Sequence, residues 1–203
     1  MKGTQQLRRE ERRPTITQPV TPPPLPDALL AEAVSIKLLW VYLRDKGVVS
    51  YSSYKLAEAL GLSQRVTTFG LARLRDRELG LVEDLGERRA RVRAVYQAVD
   101  RGERPVRIPA THPRGVAVPR DPPHLPVVLK GETPTTRLVY LYLEPYGEVE
   151  VSVRQLEGLL GVAHRNAAEA LRRLVELGLL KVLEPATSRP GRYRVKQDGE
   201  SKK

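Results

Sequence analysis

The amino-acid sequence predicts a mainly α-helical α+β protein with small β-hairpins, folded as two copies of one domain in tandem. Three observations lead there. First, proline is confined: of 17 prolines, 6 lie in Pro14–Pro26 and 8 in Pro105–Pro134, with only Pro145, Pro185 and Pro190 elsewhere. Proline fixes φ and removes a backbone donor, so helices and central strands exclude it. Two proline-poor blocks remain, each the size of a small domain. Second, these blocks match each other at an offset of 100 residues. Third, each block places apolar residues at helical spacing and then lets them alternate as in strands. The expected boundaries are a basic, proline-rich tail over 1–27, a first domain over 28–100, a linker over 101–132, a second domain over 133–197 and a tail over 198–203.

The repeat is read without gaps. Comparing 35–74 with 135–174 gives thirteen identities in forty positions, among them Leu38/Leu138, Tyr42/Tyr142, Gly47/Gly147, Ser52/Ser152, Leu56/Leu156, Gly61/Gly161, Arg65/Arg165, Arg73/Arg173 and Leu74/Leu174. Leucine-rich helices give some matches by chance, but they do not also align glycines. Two copies suggest tandem domains rather than a solenoid.

In the first copy Ile36, Leu39, Trp40 and Leu43 predict an amphipathic helix ending before Gly47. A short β-branched stretch, Val48 to Tyr51, follows. Ser52 stands at an N-cap, and Leu56, Ala59 and Leu60 give a second helix one apolar face. Gly61-Leu62-Ser63 supplies a helix-closing glycine and a new N-cap, hence a tight turn. The third helix runs from about Gln64 to Arg77 and buries Thr67, Gly70, Leu71 and Leu74. A strand is expected from Leu79 to Glu83, a hairpin tip at Gly86-Glu87 and a returning strand through Val92, Ala94 and Tyr96. In the second copy Ser152 and Gln155 form a capping box. His164 to Leu177 is the third helix, burying Ala167, Ala170, Leu171 and Leu174. Gly178 to Leu183 is a strand, Pro185 to Gly191 loops out, and Tyr193 and Val195 return.

Three helices followed by a hairpin, with the run Leu160-Gly161-Val162-Ala163-His164-Arg165-Asn166-Ala167-Ala168-Glu169-Ala170-Leu171 inside residues 156–180, resembles the winged helix-turn-helix superfamily of bacterial, phage and plasmid regulators and replication proteins. The resemblance covers both repeats. It implies that each third helix enters the major groove and reads base edges with its solvent face. Subtracting buried positions leaves Gln64, Arg65, Thr68, Phe69 and Arg73 in the first copy. In the second it leaves His164, Arg165, Asn166, Glu169, Arg172 and Arg173. Arginine pairs with guanine, asparagine or glutamine with adenine, and glutamate accepts from cytosine. Arg73 and Arg173 either contact phosphate or pair with neighbouring acids. Phe69 either packs on a thymine methyl or marks a protein interface, in which case the first domain dimerises. Arg88, Arg89, Arg91 and Arg93 in one hairpin, and Arg189, Arg192 and Arg194 in the other, would follow phosphates or a narrow minor groove.

Composition agrees with that partner. The formal net charge is +11 and the pI about 10.1, a balance that favours a polyanion through counterion release. A GC-rich genome or a thermophilic host also enriches arginine, and the single Asn, single Met and absent Cys fit such a host. Without cysteine there is no disulfide and no thiolate chemistry. The three histidines, His112, His124 and His164, lack metal-ligand spacing, and neither a Ser-His-Asp set nor a Walker loop is present. The expectation is a non-enzymatic protein with no cofactor, metal or small-molecule substrate, binding double-stranded DNA. Homodimerisation is a further expected property. No apolar run approaches membrane-spanning length and the start of the chain lacks a signal-peptide core, so a cytoplasmic, nucleoid-associated location is expected. The leading role is transcriptional regulation; the alternatives are a replication initiator or partition factor, and a protein-binding scaffold. The Arg8, Arg9, Arg12 and Arg13 cluster either adds phosphate contacts or is solvated. The linker, able to span roughly 30 Å, would let two independent domains occupy successive grooves, and its patches Val116–Val118 and Leu125–Leu129 are candidates to dock on a domain.

Overall fold

The first helix of each repeat is apolar on nearly every side, and this decides the architecture. In the computed structural model, which describes residues 20–46, 49–76, 78–84, 94–98, 124–186 and 189–196, these helices are α2 (Val34–Lys46) and α5 (Pro134–Leu143). Every residue from Ile36 to Leu43 is buried, and so is every residue from Thr135 to Leu143. A helix apolar all round needs partners all round. The amphipathic first helix expected from Ile36, Leu39, Trp40 and Leu43 is therefore corrected to a central one. One side of α2 meets its own repeat, and another packs on α5. A single apolar core runs from Leu25 to Val195 through both repeats, and the fold is mainly helical, α+β, with two small antiparallel sheets.

The proline-rich approaches to each repeat belong to that core. Leu25 and Leu29, the latter within the short helix α1 (Asp27–Leu30), are buried, as are Leu125 and Leu129, the latter closing a 3-10 turn at Val127–Leu129. Each approach crosses to the opposite repeat. The Leu25 N–H donates to the Leu159 carbonyl at 3.0 Å, and the Leu125 N–H donates to the Ala59 carbonyl at 3.3 Å. Val20 also forms a parallel bridge with Val149. Residues 20–27 and 124–132, expected in a tail and a linker, thus begin the repeat units. The patch Leu125–Leu129 docks as its leucines allow, whereas Val116–Val118 lies outside the described residues. Proline excludes regular hydrogen bonding but not burial of the leucines beside it. The match continues here through Pro22/Pro122, Pro23/Pro123, Leu25/Leu125, Pro26/Pro126, Leu29/Leu129 and Glu32/Glu132.

After the central helix each repeat adds a short strand and two helices joined by a tight turn. These are β1 (Val49–Tyr51), α3 (Ser53–Leu60) and α4 (Gln64–Arg75), then β4 (Glu148–Val151), α6 (Val153–Leu160) and α7 (His164–Glu176). Ser52 and Ser63 cap α3 and α4 with their hydroxyls, and Ser152 with Gln155 forms the full capping box of α6. Gly61 and Gly161 close α3 and α6 at φ 63° and 56°, a left-handed conformation that favours glycine. Pro145 and Gly147 end α5 early, in a 3-10 turn at Glu144–Tyr146.

The remaining strands are β2 (Val82–Asp84) and β3 (Ala94–Ala98) in the first repeat, β5 (Leu180–Glu184) and β6 (Gly191–Val195) in the second. The β-branched stretch before α3 joins them, so the sheets are three-stranded, ordered β1-β3-β2 and β4-β6-β5. Val49 faces Tyr96 and Val149 faces Tyr193. The strand match is thus offset by 97 rather than 100, because the second repeat is shorter after its third helix. The expected hairpin tip at Gly86-Glu87 lies outside the described residues. No described helix is long and apolar enough to cross a membrane.

Candidate nucleic-acid interface

The helices α4 and α7 are held by their inner faces and offer their outer ones. Thr67, Gly70, Leu71 and Leu74 are buried in α4, and Ala167, Ala170, Leu171 and Leu174 in α7, in agreement with the periodicity. α4 packs on α2 and α7 on α5, so α4 and α7 flank the central pair. Gly70 permits a close approach, since a Cβ there would stand 2.5 Å from Leu39 Cδ1. The opposite faces expose Gln64, Arg65, Thr68 and Phe69 on α4, and His164, Arg165, Asn166, Glu169 and Arg172 on α7.

Ion pairing divides the candidate cations. Arg73 is bound to Glu32 at 2.8 Å and to Glu78 at 3.1 Å, and Arg173 to Glu132 at 2.8 Å and to Glu176 at 3.2 Å. Hydrogen bonds to these carboxylates, Glu32 and Glu132 first, push both guanidinium pKa values above their usual range. Of the two alternatives for Arg73 and Arg173, pairing with acids is the one found. Arg172 lies between Glu169 and Glu176. His164 Nδ1 is 3.1 Å from Glu157 Oε2. Arg192 is not a hairpin-tip residue: it sits in the central strand β6, bonded to Glu148 and Glu184, and Arg194 shares Glu148. The Glu148 carboxyl is pulled below its usual range by Arg194 and then Arg192. Arg189 is exposed in the loop before β6. Arg88, Arg89, Arg91 and Arg93 lie outside the described residues.

Arg65 and Arg165 stand apart. They occupy the second position of α4 and α7, both are exposed, and neither has a carboxylate partner among the described residues.

The two helices are fixed relative to one another through reciprocal contacts. Lys37 Nζ, in α2, donates to the Leu30 carbonyl at 2.8 Å and to the Gly161 carbonyl of the other repeat at 2.7 Å. Arg137, in α5, donates to the Glu132 carbonyl and, through Nη1, to the Leu60 and Gly61 carbonyls at 2.7 and 2.6 Å. Each cation thus closes the C-terminal end of the other repeat's second helix, where the helix dipole favours positive charge. Burial lowers the pKa of both, against the pull of Glu32 on Lys37 and of Glu132 on Arg137. Contact i to j answered by j to i is the mark of a two-fold arrangement. The chain is a pseudo-two-fold pair within one polypeptide.

Compared with family models, characterised proteins and solved structures, this chain matches none.

The site therefore stands on its own geometry. Two exposed helix faces are related by a pseudo-two-fold axis, each with one arginine near its start that has no carboxylate partner among the described residues. An exposed guanidinium is able to make paired hydrogen bonds to a guanine edge or to a phosphate. Reasoning from sequence missed Lys37 and Arg137 as organisers. Their signal was a cation at matching positions, each directly before the apolar run of the central helix, Lys37 before Leu38 and Arg137 before Leu138. The partnership of Glu32 with Arg73, and of Glu132 with Arg173, carried a signal too: both residues repeat at the offset of 100.

Proposed function

We propose that this chain is a sequence-specific double-stranded-DNA-binding protein, two winged helix-turn-helix domains fused into a rigid pseudo-dimer, which regulates transcription and performs no catalysis. The observation that carries the reading is the pair Arg65 and Arg165, exposed at equivalent positions of equivalent helices while the other arginines of α7, and Arg73 of α4, are engaged by acids. The net charge of +11 supports a polyanionic partner. In this reading α4 and α7 are the recognition helices and the three-stranded sheets the wings.

The pseudo-two-fold axis shapes the expected target. Helices related by such an axis read half-sites in inverted orientation. One chain then supplies what a homodimer would otherwise supply. Because α2 and α5 are packed together, the separation of half-sites is set by the protein core and not by linker length.

Selection of bound duplexes from a random library at near-physiological salt, followed by sequencing, tests this. The expected result is an imperfect inverted repeat with one preferred spacing, bound by a monomer; five extra base pairs between the halves should abolish binding, since half a turn moves one half to the far side of the duplex. Recovery of no duplex would overturn the reading. The genomic position of the motif assigns its role: overlap with promoters supports regulation of transcription, whereas clusters at an origin support replication initiation.

A further inference from the structure

The two faces are equivalent in position but not in chemistry. Where α7 carries Asn166 and Glu169, α4 carries Val66 and Phe69. Both apolar residues face solvent, Val66 at 38% and Phe69 at 67% exposure, and Phe69 is the only phenylalanine in the chain. Spaced i and i+3, they lie side by side on the helix, and Phe69 lies one turn after Arg65, which has no carboxylate partner among the described residues.

A protein partner would need about 800 Å² on each side for a stable interface, and the rest of this helix face is Gln64, Arg65 and Thr68, polar or charged, with only the small Ala72 extending the apolar pair. A duplex suits the mixture better. Among the groups that bases present in the major groove, only the thymine C5-methyl is apolar. A phenyl ring and an isopropyl group beside an arginine fit thymines flanking a guanine. On α7, Arg165 and Asn166 fit guanine and adenine through paired hydrogen bonds, with Glu169 tied to Arg172.

Resting on the reading of α4 and α7 as recognition helices, we propose that Val66 and Phe69 read thymine methyl groups in one half of the target, so that the chain binds an asymmetric site in a single orientation. The α4 half is thymine-containing and read by apolar contact. The α7 half is read by hydrogen bonds.

The test uses the full chain and the duplex recovered by selection, with thymine replaced by deoxyuridine in one half at a time; this removes the methyl and leaves base pairing intact. Replacement in the α4 half should weaken binding about four- to fifteenfold, as loss of one or two buried methyl contacts implies. Replacement in the α7 half should leave affinity within about twofold, the size expected of a region read without methyl contacts. In Phe69→Ala, whose exposed site leaves thermal stability unchanged, the α4-half effect should shrink towards none. Equal sensitivity of both halves, undiminished sensitivity in Phe69→Ala, or a selected half without thymine would each overturn the proposal while leaving DNA binding in place. A Phe69→Ala chain that keeps its DNA affinity but loses self-association would do the same, by assigning Phe69 to protein contact. Recovery of no duplex at all would sink the DNA reading itself.

Discussion

Lys37 and Gly161 meet across the boundary between the repeats, ammonium to carbonyl at 2.7 Å, and Arg137 returns the contact to Gly61 at 2.6 Å. The last carbonyls of each second helix find their donors in the other repeat. Lys37→Met leaves the Leu30 and Gly161 carbonyls without their donor in a half-buried setting, and the expected cost is about 1–3 kcal/mol. Urea titration followed by circular dichroism measures it. The transition should remain single, because the two halves share one core; two separate transitions would contradict that coupling.

The glycines at these contacts are unequal. A Cβ on Gly161 would stand 2.4 Å from the Leu30 carbonyl oxygen, a backbone atom, whereas a Cβ on Gly61 would first meet Arg137 Nη1 at 2.9 Å, the end of a long side chain. Both substitutions carry the left-handed penalty of about 1–2 kcal/mol. Gly161→Ala should exceed it and Gly61→Ala should stay near it. Equal losses in denaturation midpoint would show that the Leu30 backbone yields.

Acid should weaken the fold through Glu132 and Glu148. A hydrogen bond from Arg173 holds the Glu132 carboxyl below its usual range, and Arg194 and Arg192 do so for Glu148. A carboxyl whose folded pKa lies below its unfolded value, about 4.3 for glutamate, stabilises fully above that value and progressively less as pH falls through the folded one. The melting temperature should therefore show little dependence on these groups from neutral pH down to about 5 and drop below that. Glu132→Gln should start lower and fall less steeply.

Two arginines of one helix should behave differently. Arg165→Ala is expected to cost about 1–3 kcal/mol of binding to the selected site and to relax preference at one base position. Arg173→Ala, which removes the brace to Glu132, should lower thermal stability while base preference stays unchanged. Equal weakening on every sequence by Arg165→Ala would identify a phosphate contact instead.

Periodicity was enough to find the inner faces of α4 and α7, because four buried positions one turn apart leave the same trace in any small helical domain. It was not enough to place α2. Counting Ile36, Leu39, Trp40 and Leu43 as one stripe overlooks Leu38, Val41 and Tyr42 on the other side, and those residues signal a second partner. Proline was read as a marker of tail and linker, which hid the buried Leu25 and Leu125. The candidate face was legible by subtraction. Its sorting into engaged and uncommitted arginines left only a faint trace, the repetition of Glu32 and Arg73 at an offset of 100, since Arg73 and Arg173 find their acids 41 residues away, before the central helix.

The crossing of the two approach segments has a consequence for biosynthesis. The first half of the chain ends its sheet at Ala98, but the carbonyls and apolar surfaces that complete it arrive with α5 and α6, up to Gly161. At ordinary rates of translation that interval lasts on the order of 3–13 s. Throughout it the nascent chain carries α2 with one apolar side bare and Lys37 without one of its two acceptors. A ribosome paused in this window would hold a first repeat whose central helix still lacks the partner that buries its other side.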